Sequence, residues 1–178
     1  MDDAAHSPDI VSIGNAGLAL LHPFLPAMFQ RLDLLATGGD GRPQLRGEQG
    51  ARAVRLLHYL TEGRSDEQEH EQALSLNKLL CGLPLDFPAP PVDLGQDALA
   101  LCDQLLHAVI ANWPASGSVS ITALRATFLQ RAGRLQWRDG KASLAVQRKT
   151  VDVLIHQLPW SISVIRHPWM RQPLHVTW

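Results

Sequence analysis

The chain has 178 residues, 46% of them hydrophobic and 19% charged, with a net charge of −1. That is the composition of a folded globular protein and excludes a disordered one, and the length suits one compact domain with a sizeable core. No apolar run approaches 18 residues, and MDDAAHSPDI is acidic where a secretory leader would be basic and then apolar, so the expected location is the cytoplasm.

The small net charge conceals an asymmetry. Residues 1–117 carry 7 basic and 15 acidic side chains and residues 118–178 carry 9 and 2, giving −8 and +7. Such a division can hold two halves of one molecule together, align subunits head to tail in a homo-oligomer, or present a basic face to nucleic acid.

Residues 1–9 are polar and expected to be flexible. Ile10 to Leu35 is the most apolar stretch, with a tight turn expected at Gly14, Asn15 and Gly17. Pro26 suits a first helical turn, so a helix is expected over 23–36, with Phe24, Met28, Leu32 and Leu35 at helical spacing. His22, before Pro23 in apolar surroundings, reads as a core or capping histidine rather than a catalytic one. TGGDGRPQLRG, residues 37–47, reads as a loop. A helix follows over 48–61, burying Ala53, Val54, Leu57 and Leu60, turning Arg52 and Arg55 outward and ending at Gly63.

Ser65 is the expected N-cap of the next helix, whose buried stripe is Leu76, Leu79 and Leu80 and which stops at Gly82 and Pro84. Asn77 and Lys78 sit mid-helix, where a polar pair either touches a partner or faces water; the solvated reading is taken. DFPAPPVD, residues 86–93, is a stiff connector. The clearest helical pattern runs over 97–112, where Ala98, Leu101, Cys102, Leu105, Leu106, Val109 and Ile110 make a wide apolar face, ended by Trp113 and Pro114. Ser118 or Ser120 caps a further helix over 120–132. Cys81 and Cys102 have no metal-ligand spacing and read as reduced core thiols.

Gly133 to Arg148 reads as a hairpin whose register can be predicted. A type I′ turn at Asp139-Gly140 pairs Arg138 with Lys141, Trp137 with Ala142 and Leu135 with Leu144, and sets Gln136 and Ser143 together on the opposite face. A short helix is expected over 150–157. The closing LPWSISVIRHPWMRQPLHVTW, residues 158–178, holds Trp160, Trp169 and Trp178, with turns set by Pro159, Pro168 and Pro173. Alternation predicts two half-buried strands, one with Ile162 and Val164 inward, the other with Leu174, Val176 and Trp178 inward. A closing tryptophan buries roughly 200 Å², so the tail should be tied down, with its carboxylate meeting water or a cation. The fold class is α+β and predominantly helical, five to six helices with a small antiparallel sheet near the C-terminus.

No phosphate-binding glycine loop, G-x-S-x-G elbow, H-E-x-x-H or EF-hand pattern is present, and His156, His167 and His175 share no ligand spacing with a carboxylate. No catalytic, cofactor-binding or metal-binding residue is therefore expected, and no small-molecule substrate. Helix, helix, hairpin over 97–148 has the order of a winged-helix module. Arg125, Arg131, Arg134, Arg138 and Lys141 are its candidate phosphate contacts, so nucleic-acid binding is the alternative function. Against it, small hairpins often carry Arg and Lys to discourage edge pairing.

NAGLALLHPFLPAMF at 15–29, ARAVRLLHYLTEG at 51–63, LSLNKLLCGLPLD at 74–86 and LPWSISVIRHPWM with LHVTW at the end together resemble the C-terminal region of contractile injection system tape measure proteins. AVIANWP, LRATFLQRAGRL and LIHQLPW fit the same pattern, so the resemblance covers roughly residues 10–178. Its signature residues here are Asn15, Gly17, His22, Pro23, Phe24, Asn77, Lys78, Gly82, Pro159, Trp160, Pro168, Trp169 and Trp178. The resemblance implies a structural role in a phage-tail-like particle, where a tape measure sets inner-tube length, with protein partners among tube, baseplate or terminator components. A single helical rod of this chain would reach about 270 Å at about 1.5 Å per residue. Its prolines, glycines, hairpin and apolar faces instead demand a radius of gyration of about 16 Å. The expectation is an anchoring domain, a short paralogue or a fragment without the ruling segment, docking through Arg125, Arg131, Arg134, Arg138, Lys141, Trp160 and Trp169.

Overall fold

In the computed structural model, which describes residues 10–64 and 71–178, the chain opens on a strand the sequence did not announce, β1 (Ile10–Ile13). The expected flexible segment 1–9 and the Ser65 cap lie outside the described residues. Helical structure then begins at Ala16, not at Pro23: a 3₁₀ segment, Ala16–Phe24, runs into helix α1 (Leu25–Arg31). Pro23 and Pro26 donate no backbone hydrogen bond, which suits Pro23 to the tighter 3₁₀ ladder and Pro26 to the first turn of α1. The expected continuation to Ala36 fails because Asp33 turns left-handed at φ 53. Within TGGDGRPQLRG, read as loop, β2 (Ala36–Thr37) and β3 (Pro43–Gln44) pair antiparallel.

Helix α2 (Gly47–Glu62) matches its prediction to a residue at each end and stops at Gly63. Arg55 does not face water: its guanidinium is buried and donates twice to the Ala89 carbonyl of the proline-rich connector, at 2.8 and 2.6 Å. Arg52 likewise donates to Leu94 O. Helix α3 (Ser75–Leu80) buries Leu76 and Leu80. Helix α4 (Gln96–Ala111) presents the predicted apolar face, and the 80s–100s thiols Cys81 and Cys102 are buried and free. Helix α5 (Ile121–Leu124) is capped by the Ser120 side chain, which accepts from Ala123 N. It passes into a π turn over Arg125–Leu129 and ends short of the expected Ala132.

Strands β4 (Gly133–Arg138) and β5 (Lys141–Val146) form the predicted hairpin in the predicted register, with Asp139 and Gly140 both at positive φ as a type I′ turn requires. The short helix over Thr150–Gln157 is 3₁₀. β6 (Val164–Ile165) and β7 (Leu174–Thr177) close the chain. In the first of these the expected phase is wrong. Val164 is 46% exposed and Ile165 is buried, with Ile162 half-buried beside the core.

The sheet order is β1-β4-β5-β7-β6, antiparallel except where β7 lies parallel to β5. The hairpin is the centre of a five-stranded sheet, with β1 along one side and β7 along the other, so its arginines do not guard an edge. Inward residues Val11, Leu135, Leu144, Ile165 and Leu174 meet Leu18, Leu20, Leu21 and the helical residues in one buried cluster. Helices thus cover one face of the sheet, an α+β arrangement.

Candidate functional site

Most residues singled out in the sequence turn inward, and they cement segments far apart in the chain. Asn15 donates to Asn77 Oδ1 at 2.7 Å, and Asn77 donates to Val54 O at 3.1 Å. Asn77 is fully buried, correcting the solvated reading: the pair ties β1's exit to α3 and α2. Lys78, only 1% exposed, also departs from that reading; its ammonium meets the Glu71 carboxylate and Leu85 O. The Lys78 hydrogen bond chiefly holds the Glu71 carboxyl below the usual range.

Two glycines permit backbone contacts that no side chain would allow. A Cβ on Gly17 would lie 1.7 Å from Phe128 O, so the 3₁₀ segment can touch the π turn only with glycine there. A Cβ on Gly82, at φ +70, would lie 2.0 Å from Trp169 O. That contact seats the RHPWM turn, whose Trp169 Nε1 donates to Leu80 O at 2.8 Å.

The indoles act as pins with polar tips. Trp113 donates to Leu154 O, Trp160 to Leu20 O and Trp178 to Asp152 Oδ2. Trp160 also meets Phe24 edge-on at 5.3 Å. Around Trp178 is a charged interior site. Arg131, wholly buried, forks onto both Asp152 oxygens at 2.8 and 2.9 Å, donates to Gln147 O and Thr127 O, and lies 5.5 Å from the Trp178 ring. Burial raises the Asp152 carboxyl pKa, but hydrogen bonds from Arg131, Lys149 N–H and Trp178, with the Arg131 charge, outweigh it and hold the group below its ordinary value. Arg148 donates to Trp178 O at 2.9 Å, so the tail finds the cation the sequence called for.

His22, whose Nε2 donates to Ser161 O at 2.7 Å, lies 6.0 Å from the His167 ring, which stacks on Trp169 at 4.6 Å. Burial, then the neighbouring His22, pushes His167 down to about 4; burial also lowers His22, against the opposing pull of its Ser161 bond. Both shifts favour the neutral imidazole, with His167 buried and His22 half-buried beside it. Pro23, inside the 3₁₀ segment, and Pro159 and Pro168, in the closing bends, are exposed.

The candidate contact residues divide accordingly. Arg131 and Trp169 are buried and cannot meet a partner, and the physical reason is the same for both: each is spent on internal acceptors. Arg125 is largely spent too, donating to Leu60 O and Tyr59 O at the C-terminal end of α2, while Gln130 takes Thr61 O. It satisfies carbonyls a helix end leaves unpaired. Trp160 is half-buried.

Arg134, Arg138 and Lys141 are exposed, and the register puts them together on the outer sheet face. Arg138 lies opposite Lys141, Arg134 between Ser12 and Ala145, and the Gln136–Ser143 pair continues to His175 and Val164. Ile10, 50% exposed, lies against Gln136 on the same face. Asp139, at the turn, is the nearest acid in sequence. The outer sheet face is thus polar and cationic, with the exposed apolar side chains of Ile10 and Val164 near its rims. Ile10, Val164 and His175 were not anticipated as part of it, because β1 was not recognised and β6 was phased wrongly. Asp152 was missed as well, although it and Asp139 are the only acids in the basic C-terminal third.

The two thiols offer no nucleophile, since burial raises Cys81 and pushes Cys102 up to about 12. Among the described residues no group of three or more His, Cys, Asp or Glu is placed to hold a metal ion, and no helix is long and apolar enough to cross a membrane. In comparisons with known proteins, the family profile for contractile injection system tape measure protein matches residues 2–178. Comparisons with curated proteins and with solved structures gave no match.

Proposed function

The chain belongs to the contractile injection system tape measure protein family, and from that premise we propose that it is an anchoring module in assembly of the particle's inner tube. It acts by docking on tube, baseplate or terminator subunits, not by spanning the tube as a ruler. One observation carries this reading. The family match covers residues 2–178, yet those residues, where described, fold back into a layered α+β body instead of a long helix. The longest helices, α2 and α4, have 16 residues each, or about 24 Å at about 1.5 Å per residue. The outer sheet face with Arg134, Arg138 and Lys141 is the proposed contact surface. Residues 10–178 act as one domain, consistent with a core that draws on β1, the helices and β7 alike.

The experiment is affinity capture of the chain from its native host, followed by identification of what accompanies it. Tube, baseplate or terminator subunits are expected, and Arg134→Glu with Arg138→Glu should remove them without unfolding the protein. Recovery of chromosomal DNA or metabolic enzymes alone would overturn the proposal.

A further inference from the structure

Beyond the sheet face, a second basic feature was not anticipated in the sequence. The RHPWM turn and the residues after it border a concavity of about 360 Å³, lined by Arg166, His167, Met170, Arg171 and Pro173, with Arg42 arriving from the β2–β3 turn. No acidic side chain lines it. Arg42 has a distant partner in Asp40, at 4.0 Å, and Arg166 and Arg171 are exposed.

The floor is rigid for reasons already described: Trp169 is pinned to Leu80, its carbonyl lies against Gly82, and Met170 N donates to His167 O at 2.9 Å. His167 is buried, and its Nε2 has no hydrogen-bond partner. A lining of three arginines with Pro168, Pro173 and the largely buried Met170 matches an anionic head carried on a short apolar stem. A guanidinium fork binds carboxylate oxygens in pairs, more specifically than an ammonium does.

We propose that this concavity is a carboxylate receptor that takes Asp or Glu side chains from an acidic segment of a partner subunit. This extends the assembly reading and rests on it. A protein occupant is favoured over a nucleic acid because the three arginines line a single concavity together with Pro168, Met170 and Pro173. A phosphate backbone needs a row of cations along an open surface.

The test is a fluorescence anisotropy titration of the full chain with labelled hexaglutamate, with hexaglutamine, tripolyphosphate and a single-stranded DNA dodecamer as comparison probes. Hexaglutamate should bind and hexaglutamine should not. Arg166→Gln with Arg171→Gln should weaken hexaglutamate at least about tenfold, as loss of converging charge contacts does, whereas Arg134→Gln with Arg138→Gln should change it less than about twofold. Amide chemical-shift changes in the unmutated chain, confined to residues 166–173 and the Arg42 turn, check the location without any variant. Equal weakening by both double variants, shifts spread over the sheet, or tighter binding of tripolyphosphate or DNA would overturn the proposal. Capture from the native host separates it from the broader reading. If the Arg166/Arg171 variant loses hexaglutamate but still recovers particle subunits, this site is not the docking point and the assembly role stands. If the unmutated chain binds hexaglutamate but recovers no particle subunit, the assembly role fails and the receptor stands as a pocket without it.

Discussion

Two sets of arginines lie close together in this chain and do opposite work. Arg131 is fully buried with four acceptor contacts, two of them to one carboxylate, while Arg134, three residues on, stands in water on the outer face of β4. The sequence around them, LQRAGRLQWR, treats both alike. What separates them is the end of the π turn at Leu129 and the start of β4 at Gly133, which point one side chain under the sheet and the other away from it. Residue type therefore predicts charge but not duty. The interior set is spent on acceptors within the fold, and the exterior set stands exposed on the outer sheet face.

Substitutions can break this division from the inside first. Gly82→Ala should be the most damaging, because it combines a left-handed φ with a Cβ placed against the Trp169 carbonyl. A loss of about 4 kcal/mol or more is expected in urea unfolding. Arg131→Ala leaves Asp152 buried without its cation and should cost about 3 kcal/mol or more. Trp178→Ala removes a half-buried ring and one hydrogen bond to Asp152, and about 2 kcal/mol is expected by the same measurement.

Acid should sharpen the comparison, since the interior groups His167, His22 and Asp152 have folded pKa values below their ordinary ones. His167 has a folded pKa near 4 against 6.5 when unfolded, so the unfolded chain binds more protons between those values. Its stabilising effect is complete above pH 6.5 and is lost as pH falls towards 4. His22 adds to the loss in the same direction. Asp152, with a lowered folded pKa, contributes stability above its ordinary value near 3.8 that is lost on further acidification. Thermal melts between pH 7 and 4.5 should show a falling midpoint that His167→Phe, which retains a stacking ring against Trp169, makes shallower. The smallest effect belongs to the exterior: Arg134→Ala and Arg138→Ala should leave the urea midpoint unchanged while weakening partner capture.

How far the sequence could be read follows the same division. The hairpin was legible to the residue because a two-residue turn leaves one register compatible with the alternation of Leu135, Leu144, Trp137 and Ala142. Helices α2 and α4 were legible from long apolar periodicity. β1 was not, because four residues with no turn partner of their own gain strand geometry only from β4, more than a hundred residues away. Asn77, Lys78 and Arg55 were misread for a related reason: a polar side chain looks solvated until the acceptor that takes it inward is known, and Val54 O, Leu85 O and Ala89 O are backbone atoms no motif records. The family resemblance named Trp169 and Asn77 without assigning either a role. It did not reveal that both are buried and bonded to distant segments, or that of the candidate contacts only Arg134, Arg138 and Lys141 would be exposed.

The most direct measurement is the tube-length distribution of particles, seen by electron microscopy, from a host lacking this chain and complemented with variants. Without the chain, missing tubes or tubes of irregular length are expected. The unmutated chain should restore them, and a folded Arg134→Glu, Arg138→Glu variant should not. Tubes of unchanged number and length in the host lacking the chain would contradict the assembly role.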